Sequence, residues 1–544
     1  MKTAVVYNTD AATETVEEEL ALVPELAQRG YEDVGVDDMK RVTKNWRAII
    51  REHGAILLLL LFFAVLYSTT LNSYGMFVWD EAEYASLGRS VLRGEGFSLS
   101  GRPNSFRLPL LPLSAAASML LLDSTKDVIV RLPGLFFSLL ALFVVYWCVK
   151  TQFEHTTGIV AAALLGLFPS FWASTPRLLT EVPFMALFTG AVLFFSFGLY
   201  RTRQFFYWSW LCFGLALLTR YNAVLLAPII IAFLVLALIL RDTEVQDKLW
   251  SKDFFFSPLL GLAVLAPWLI RQQITFGNAL AGFKGATSQV QVFQKSSTPW
   301  YFYPAHVPEM ISWIPVALLC LGIFWAVRKQ ERVALHCLLA SLVILLWFSG
   351  YGYKGTRLVT SVLPFLAILA ALGLTKQLLP ARLGKPQFYG ALTFCLSVVF
   401  VVNFLNTRQR FTHTAALGYP SFLRAMQFLR EKTAREAVLV GASYPQIYWY
   451  TDRQVIDFPD EKQLKGALEQ SEWVMVTNFE RAQRRYARGL VKLFTRNDVR
   501  EGNAVVFKDA RYSTILLKSH LLQQKLEEKR ASTEPRERVE PESE

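Results

Sequence analysis

Three carboxylates crowd the segment Val78-Trp79-Asp80-Glu81-Ala82-Glu83-Tyr84, directly after the first membrane-length apolar run of the chain. A water-facing loop carries such charges at little cost, but placing them against a bilayer points to a substrate that is itself part lipid. More polar residues collect at the ends of later apolar runs. Arg107 precedes LPLLPL, Arg131 lies in DVIVRLPG, Arg177 and Glu181 fall in TPRLLTEVP, and Arg220 with Tyr221 sits in the tight LLTRYN connection. Arg271, His306, Lys354 and Arg357 complete the group. Carboxylates and cations meeting on one membrane face suit transfer of a group from a lipid phosphate. A carboxylate takes the proton of an acceptor hydroxyl, and Arg or Lys holds the phosphate as its charge grows on leaving.

Plainer roles stand beside these. A charge at a helix end also serves as an interface anchor that snorkels into the headgroups. Arg177 and Glu181 have the i, i+4 spacing of an ordinary surface pair. His306 stands alone and reads as structural, and the aromatic run Pro299–Tyr303 reads most simply as an interfacial belt, with stacking on a sugar or contact with a prenyl chain as the alternative.

The elements that must position these residues are membrane spans. The chain has 544 residues, of which 53% are hydrophobic and 14% aromatic, the composition of a polytopic α-helical membrane protein. Gly54–Leu71 carries no formal charge and is long enough to cross a hydrocarbon core of roughly 30 Å. Ten further spans are expected at about Val128–Val149, Gly158–Thr175, Pro183–Tyr200, Phe206–Thr219, Asn222–Leu240, Phe254–Ile270, Ile311–Val327, Ala334–Gly350, Leu358–Thr375 and Phe388–Leu405, which makes eleven. Basic residues favour one set of loops, seventeen against twelve, and so place the N-terminus in the cytoplasm and the C-terminus outside. The apolar stretch Leu108–Leu122 is short and begins with Pro109 and Pro112, so it reads as an interfacial or re-entrant helix. The net charge of +12 belongs to the cytoplasmic loops and gives no reason to expect a nucleic-acid partner. The five cysteines lie in or beside apolar runs without metal-ligand spacing and read as small core hydrophobes.

Four regions result: a cytoplasmic N-terminal segment 1–50, a transmembrane domain 51–405 with an external first loop 72–127, an external α/β domain 415–510, and a disordered charged tail 511–544. In the α/β domain, strands are expected at Ala437–Ala442, Val455–Phe458, Trp473–Thr477 and Ala504–Lys508. Helices are expected at Ser421–Lys432, Glu461–Gln470 and Glu480–Phe494.

The order of motifs resembles the dolichyl-phosphate-mannose–protein mannosyltransferase family and its bacterial relatives, such as the aminoarabinose transferase acting on lipid A. The resemblance rests on WDEAEYASLGRSVLRGEGF, RLPLLPL, DVIVRLPGLFFSLLALFVVYW, TPRLLTEVPF, GLALLTRYNAVLL, APWLIRQQITFGNAL and YKGTRLVTSVLPFLAILAALG, over about residues 50–405. It implies a GT-C fold and an integral plasma-membrane glycosyltransferase. The donor would be a polyprenyl-phosphate sugar (mannose or another hexose or pentose), and the acceptor a protein, lipid or glycan on the external face. The anomeric carbon would invert. Asp80 matches the catalytic base, Glu81 its neighbour, and Glu181 the acid after the third span. Arg131 matches a phosphate clamp, with Arg177, Arg220, Arg271, Lys354 and Arg357 as further phosphate or donor contacts. Glu83, Tyr84 and Arg107 are acceptor or donor contacts. Many bacterial relatives carry Arg at the position of Glu83, and RLPLLPL lacks their His-Pro-Pro or Lys-Pro-Pro. No paired acidic metal motif is evident, so no cofactor is expected and the reaction reads as metal-independent. The competing reading is a transporter or flippase for a lipid-linked sugar, which would place ionisable residues near the bilayer midplane.

Overall fold

Each of the eleven apolar runs is helical in the computed structural model, which describes residues 53–71, 75–76, 78–286, 298–379, 384–416, 420–478, 486–509 and 512–533. The expected cytoplasmic segment 1–50 lies outside these residues. The first helices are α1 (His53–Ser68), α2 (Trp79–Leu92) and α3 (Leu110–Leu121), with a small hairpin, β1 (Ser98–Leu99) and β2 (Arg102–Pro103), between α2 and α3. Then follow α4 (Leu132–Gln152), α5 (His155–Leu167), α6 (Glu181–Tyr200), α7 (Phe205–Leu217), α8 (Leu226–Ile239) and α9 (Lys252–Phe276). The membrane part closes with α10 (Phe302–Ile311), α11 (Trp313–Lys329), α12 (Arg332–Ser349), α13 (Leu363–Leu372) and α14 (Lys385–Ala416).

Among the described residues, seven helical segments are long and apolar enough to cross a membrane, or eight if the pair α10 and α11, bent by 114°, is one broken span. The expected eleven full spans are therefore not met by length. The helices α5 and α7 hold 13 residues each, about 20 Å of helix. The α5 run breaks at Phe168, whose extended backbone precedes Pro169. The helix α3 holds 12 residues, too short to span, and Leu120 and Leu121 at its end are exposed.

Two segments occupy the middle of the bundle: Glu181–Tyr200 and Thr356–Leu378, each 94% buried along its apolar window. Close packing there depends on small residues. A Cβ on Gly322 of α11 would lie 1.8 Å from the Leu369 carbonyl, so the α11–α13 crossing admits only glycine. Both central segments begin at the same end of the bundle, with Glu181 on one and Arg357 on the other.

The chain after α14 forms α15 (Pro420–Lys432), α16 (Tyr444–Thr451), α17 (Ser519–Thr533) and a five-stranded sheet. Its strands are β3 (Val438–Gly441), β4 (Gln454–Ile456), β5 (Trp473–Thr477), β6 (Ala504–Lys508) and β7 (Ser513–Lys518), in the order β4-β3-β5-β7-β6. The strand β3 runs parallel to β4 and β5, whereas β7 is antiparallel to β5 and β6. Strand β7 and helix α17 correct the expectation of a disordered tail from 511. Thr514, Leu516 and Leu517 are buried, and β7 pairs on both sides inside the sheet. Of that tail, 511 and 534–544 fall outside the described residues. The layer also shares its core with the first loop: Leu87 and Leu99 pack with Phe422, Met426, Ile447, Trp473 and Leu516.

Candidate active site

Asp80 is the second residue of α2, and the start of that helix is set by Glu81. Its Oε2 accepts from the Val78 N–H at 3.3 Å and its Oε1 from the Leu178 N–H at 3.0 Å. Neighbouring residues on a helix with 3.6 residues per turn point about 100° apart. Glu81 therefore turns into the protein, fully buried, while Asp80 lines a cavity of about 410 Å³. That volume lies within the roughly 300–1,000 Å³ of small-ligand sites.

Distant stretches build the cavity. Helix α2 gives Asp80 and Tyr84, the loop before α3 gives Phe106 and Arg107, and the start of α6 gives Thr180 and Glu181. The α7–α8 connection gives Thr219, Arg220, Tyr221 and Asn222, and the stretch after α12 gives Tyr351, Tyr353 and Arg357. A ladder of ion pairs joins them. Arg107 Nη2 donates to Asp80 Oδ1 and to Glu83 Oε2, both at 2.6 Å, and Arg107 Nη1 reaches the Tyr84 hydroxyl at 3.3 Å. Arg357 Nη2 donates to the other Asp80 oxygen at 2.7 Å, while its Nε donates to Glu181 Oε1. Arg220 Nη1 meets that same Oε1 at 2.9 Å. Glu181 is 1% exposed, and among the described residues its Oε2 has no hydrogen-bond partner.

Two carboxylates on the wall face three guanidiniums, and Glu83, paired to Arg107 behind the wall, brings the ion-pair cluster to zero net charge. The positive field on the wall comes from helix starts. Glu181 opens α6, Arg220 directly precedes the 3₁₀ turn Tyr221–Leu225 that leads into α8, and Arg357 is the second residue of the 3₁₀ turn Thr356–Val362 that leads into α13. Helix N-termini carry partial positive charge and unpaired N–H groups, the features that bind phosphate. Burial alone would raise the Asp80 pKa, but the nearby Arg107 and Arg357 guanidiniums outweigh it and hold the carboxyl below its usual range. Asp80 is thus an anion at neutral pH.

Several expected site residues lie elsewhere. Arg131 is fully buried: it donates to Glu81 Oε1 at 3.3 Å, to the Leu71 carbonyl at 3.0 Å and to the Gly75 carbonyl at 2.7 Å. Neither Arg131 nor Glu81 is on the cavity wall. Arg271 donates to the carbonyls of Asn104 and Phe97 at 2.8 and 3.0 Å. Lys354 donates to those of Thr298 and Tyr351 at 2.8 and 2.6 Å. Arg177 does not line the cavity. Glu83 stands behind the wall, tied to Arg107 and Asn104. His306 holds its own helix, with Nδ1 2.7 Å from the Phe302 carbonyl oxygen. The sequence reading passed over Tyr351 and Tyr353, which flank Gly352 directly after α12. Their signal was two aromatic residues beside Lys354, at the same end of the bundle as the acids.

Comparison with known proteins bears on the fold. Residues 103–271 match the profile of the family described as dolichyl-phosphate-mannose-protein mannosyltransferase. No curated protein matches by sequence. The ArnT structure from Cupriavidus metallidurans bound to undecaprenyl phosphate aligns with a TM-score of 0.67 at 14% identity, over 85% of this chain and 98% of that one. Its apo form aligns at 0.66, also at 14% identity, over 86% and 98%. The archaeal oligosaccharyltransferase AglB from Archaeoglobus fulgidus, in complex with an inhibitory peptide and a dolichol-phosphate, aligns at 0.52 with 13% identity, over 78% and 69%. The fold is the expected GT-C fold of an integral membrane protein.

Proposed function

We propose that this chain, a GT-C membrane protein with the mannosyltransferase-family pattern in residues 103–271, transfers a sugar from a polyprenyl-phosphate donor to a hydroxyl acceptor on the external membrane face. The observation that carries the reading is the convergence of Asp80, Glu181, Arg107, Arg220 and Arg357 on one cavity, at the end of the bundle where the two most buried spans begin. Glu181, Arg220 and Arg357 lie at span starts and Asp80 and Arg107 in the first loop, which speaks against the transporter alternative, whose ionisable residues belong near the midplane.

In this mechanism the donor phosphate sits against Arg220 and Arg357 at the helix starts, with its prenyl chain along the lipid-facing side. The sugar lies among Tyr221, Tyr351 and Tyr353. Each Asp80 oxygen accepts one arginine hydrogen bond and keeps a second lone pair. Asp80 takes the proton of the acceptor hydroxyl as the acceptor oxygen forms its bond to the anomeric carbon. The bond from that carbon to the phosphate oxygen breaks with its electron pair, and the polyprenyl phosphate leaves held by the two guanidiniums. Attack opposite the leaving group inverts the anomeric centre. The free Glu181 Oε2 accepts a hydroxyl of the bound sugar, and Tyr84 and Arg107 fix the direction of Asp80. Glu81, Arg131, Arg271 and Lys354 hold the loops that form the cavity, and do not touch the donor.

Binding of undecaprenyl phosphate and dolichol phosphate to purified protein tests this reading. Arg220→Gln should weaken binding about tenfold or more, since a charge-assisted hydrogen bond is worth roughly 1.5–3 kcal/mol. Equal affinity in wild type and Arg220→Gln would remove the phosphate site from this cavity.

A further inference from the structure

The sheet layer reaches the catalytic helix through α16, and the contacts are specific. Arg89 of α2, 8% exposed, donates to the carbonyls of Trp449 and Tyr448 at 2.8 and 2.9 Å. It thereby satisfies the open C-terminal end of α16. Arg93 holds Asp452, just past α16, with two bonds of 2.6 and 2.9 Å. Trp449 is buried in the cluster of Met76, Ala82, Ala85, Leu111 and Leu178, a core built from the first loop and the segment before α6 and not from the sheet. At the other end of α16, the Tyr444 ring meets Trp79, the residue before Asp80, edge to face at 4.8 Å.

The polar contacts of α16 frame the start of α2. Trp449 Nε1 donates to Asp127 Oδ1 at 2.9 Å, and the Tyr450 hydroxyl donates to Asp127 Oδ2 at 2.7 Å. The same hydroxyl accepts from the Met76 N–H at 2.6 Å. It packs so closely on Gly75 that a Cβ there would fall 2.5 Å from the oxygen. The Gly75 carbonyl is held from the other side by Arg131, whose partner Glu81 fixes the first turn of α2. Asp127 opens the turn Asp127–Val130 that ends at Arg131. A continuous hydrogen-bonded frame therefore runs from Tyr450 through Met76, Gly75 and Arg131 to Glu81, the neighbour of Asp80.

We propose that helix α16 is a positioning element of the active site: Tyr450 and Trp449, by gripping Asp127 and the Met76 backbone, fix the α2 N-terminus so that Asp80 presents to the cavity. The proposal rests on the transferase reading for its activity arm, and a second arm does not. Tyr450 touches neither donor nor acceptor and is a positioning residue. Loosening the frame displaces the base, and a displacement near 1 Å costs about a hundredfold in rate.

The test compares Tyr450→Phe with Arg93→Gln in the full-length protein. Arg93→Gln breaks an attachment of the same layer without touching Asp127 or Met76. Tyr450→Phe should lower kcat about ten- to hundredfold, with the donor KM and polyprenyl phosphate affinity within about twofold. Arg93→Gln should leave kcat unchanged. In the double variant Tyr450→Phe/Asp127→Asn the losses should not multiply, because both act on one contact. Hydrogen exchange of amides 76–85 should quicken in Tyr450→Phe and not in Arg93→Gln, a readout that needs no turnover. Inactivity of the wild type on every polyprenyl-phosphate sugar would strike the transferase reading and leave the exchange result to decide this proposal. Unchanged exchange and kcat in Tyr450→Phe, or equal losses in Arg93→Gln, would overturn it.

Discussion

Arg357 donates to Asp80 at 2.7 Å although the two residues stand 277 positions apart in the chain. The same guanidinium holds Glu181 through its Nε. One side chain thus ties the acid of the first loop to the acid that opens α6, and in the proposed mechanism it holds the leaving phosphate.

Replacing Arg357 by Gln should lower kcat/KM by about 10²–10³, the effect of losing one preorganised charge-stabilising donor. Lysine should not restore it, since an ammonium cannot serve both carboxylates with a planar fork. The pH profile gives a separate check. Asp80 is held below the usual carboxylate pKa by Arg107 and Arg357 against the effect of burial. The base is therefore charged above that lowered value and is lost only as pH falls through it. Wild-type activity should stay level down to the ordinary carboxylate range near pH ~4, and the acid limb in Arg357→Gln should move to higher pH. An acid limb unmoved by the substitution would show that Asp80 is not the titrating group.

Arg131 and Glu81 should behave as a structural pair. Both are fully buried, so Arg131→Met strands a carboxylate and should cost roughly 3–5 kcal/mol. The loss should be read as a lower melting temperature in detergent and a smaller folded yield. Polyprenyl phosphate affinity of the folded fraction should stay within about twofold. A large loss of affinity at unchanged melting temperature would return Arg131 to the phosphate.

The proposed external placement of the cavity can be tested by chemical labelling. Glu436 is an exposed residue of the sheet layer, and Gln330 is exposed at the far end of α11. In a cysteine-free background, Glu436→Cys should react with an impermeant maleimide on intact cells, and Gln330→Cys only after lysis. The reverse pattern would put the site in the cytoplasm.

Much of this was legible in the chain because apolar run length and charge at run ends are local signals. They located the helices and marked Asp80, Glu181, Arg220 and Arg357, which the fold brings together. What they could not separate was which face each charge takes. Asp80 and Glu81 are adjacent in sequence, yet the helix turns one to the cavity and the other into a buried pair with Arg131. Arg271 and Lys354 look like phosphate ligands by type and position, but each closes a loop by donating to two backbone carbonyls. Such partners are distant in sequence and carry no pattern. Strand β7 was hidden for a different reason: Ser513–Lys518 is followed by the highly charged α17, whose composition resembles a solvated tail.

The most direct test of the account is sugar transfer from labelled polyprenyl-phosphate donors in membranes carrying either wild type or Asp80→Asn at matched folded amounts. Asn keeps the size of Asp80 and removes its ability to take a proton. The account predicts transfer by the wild type and a loss of about 10²–10⁴ in the variant, with polyprenyl phosphate still bound. Transfer by Asp80→Asn at the wild-type rate would contradict it.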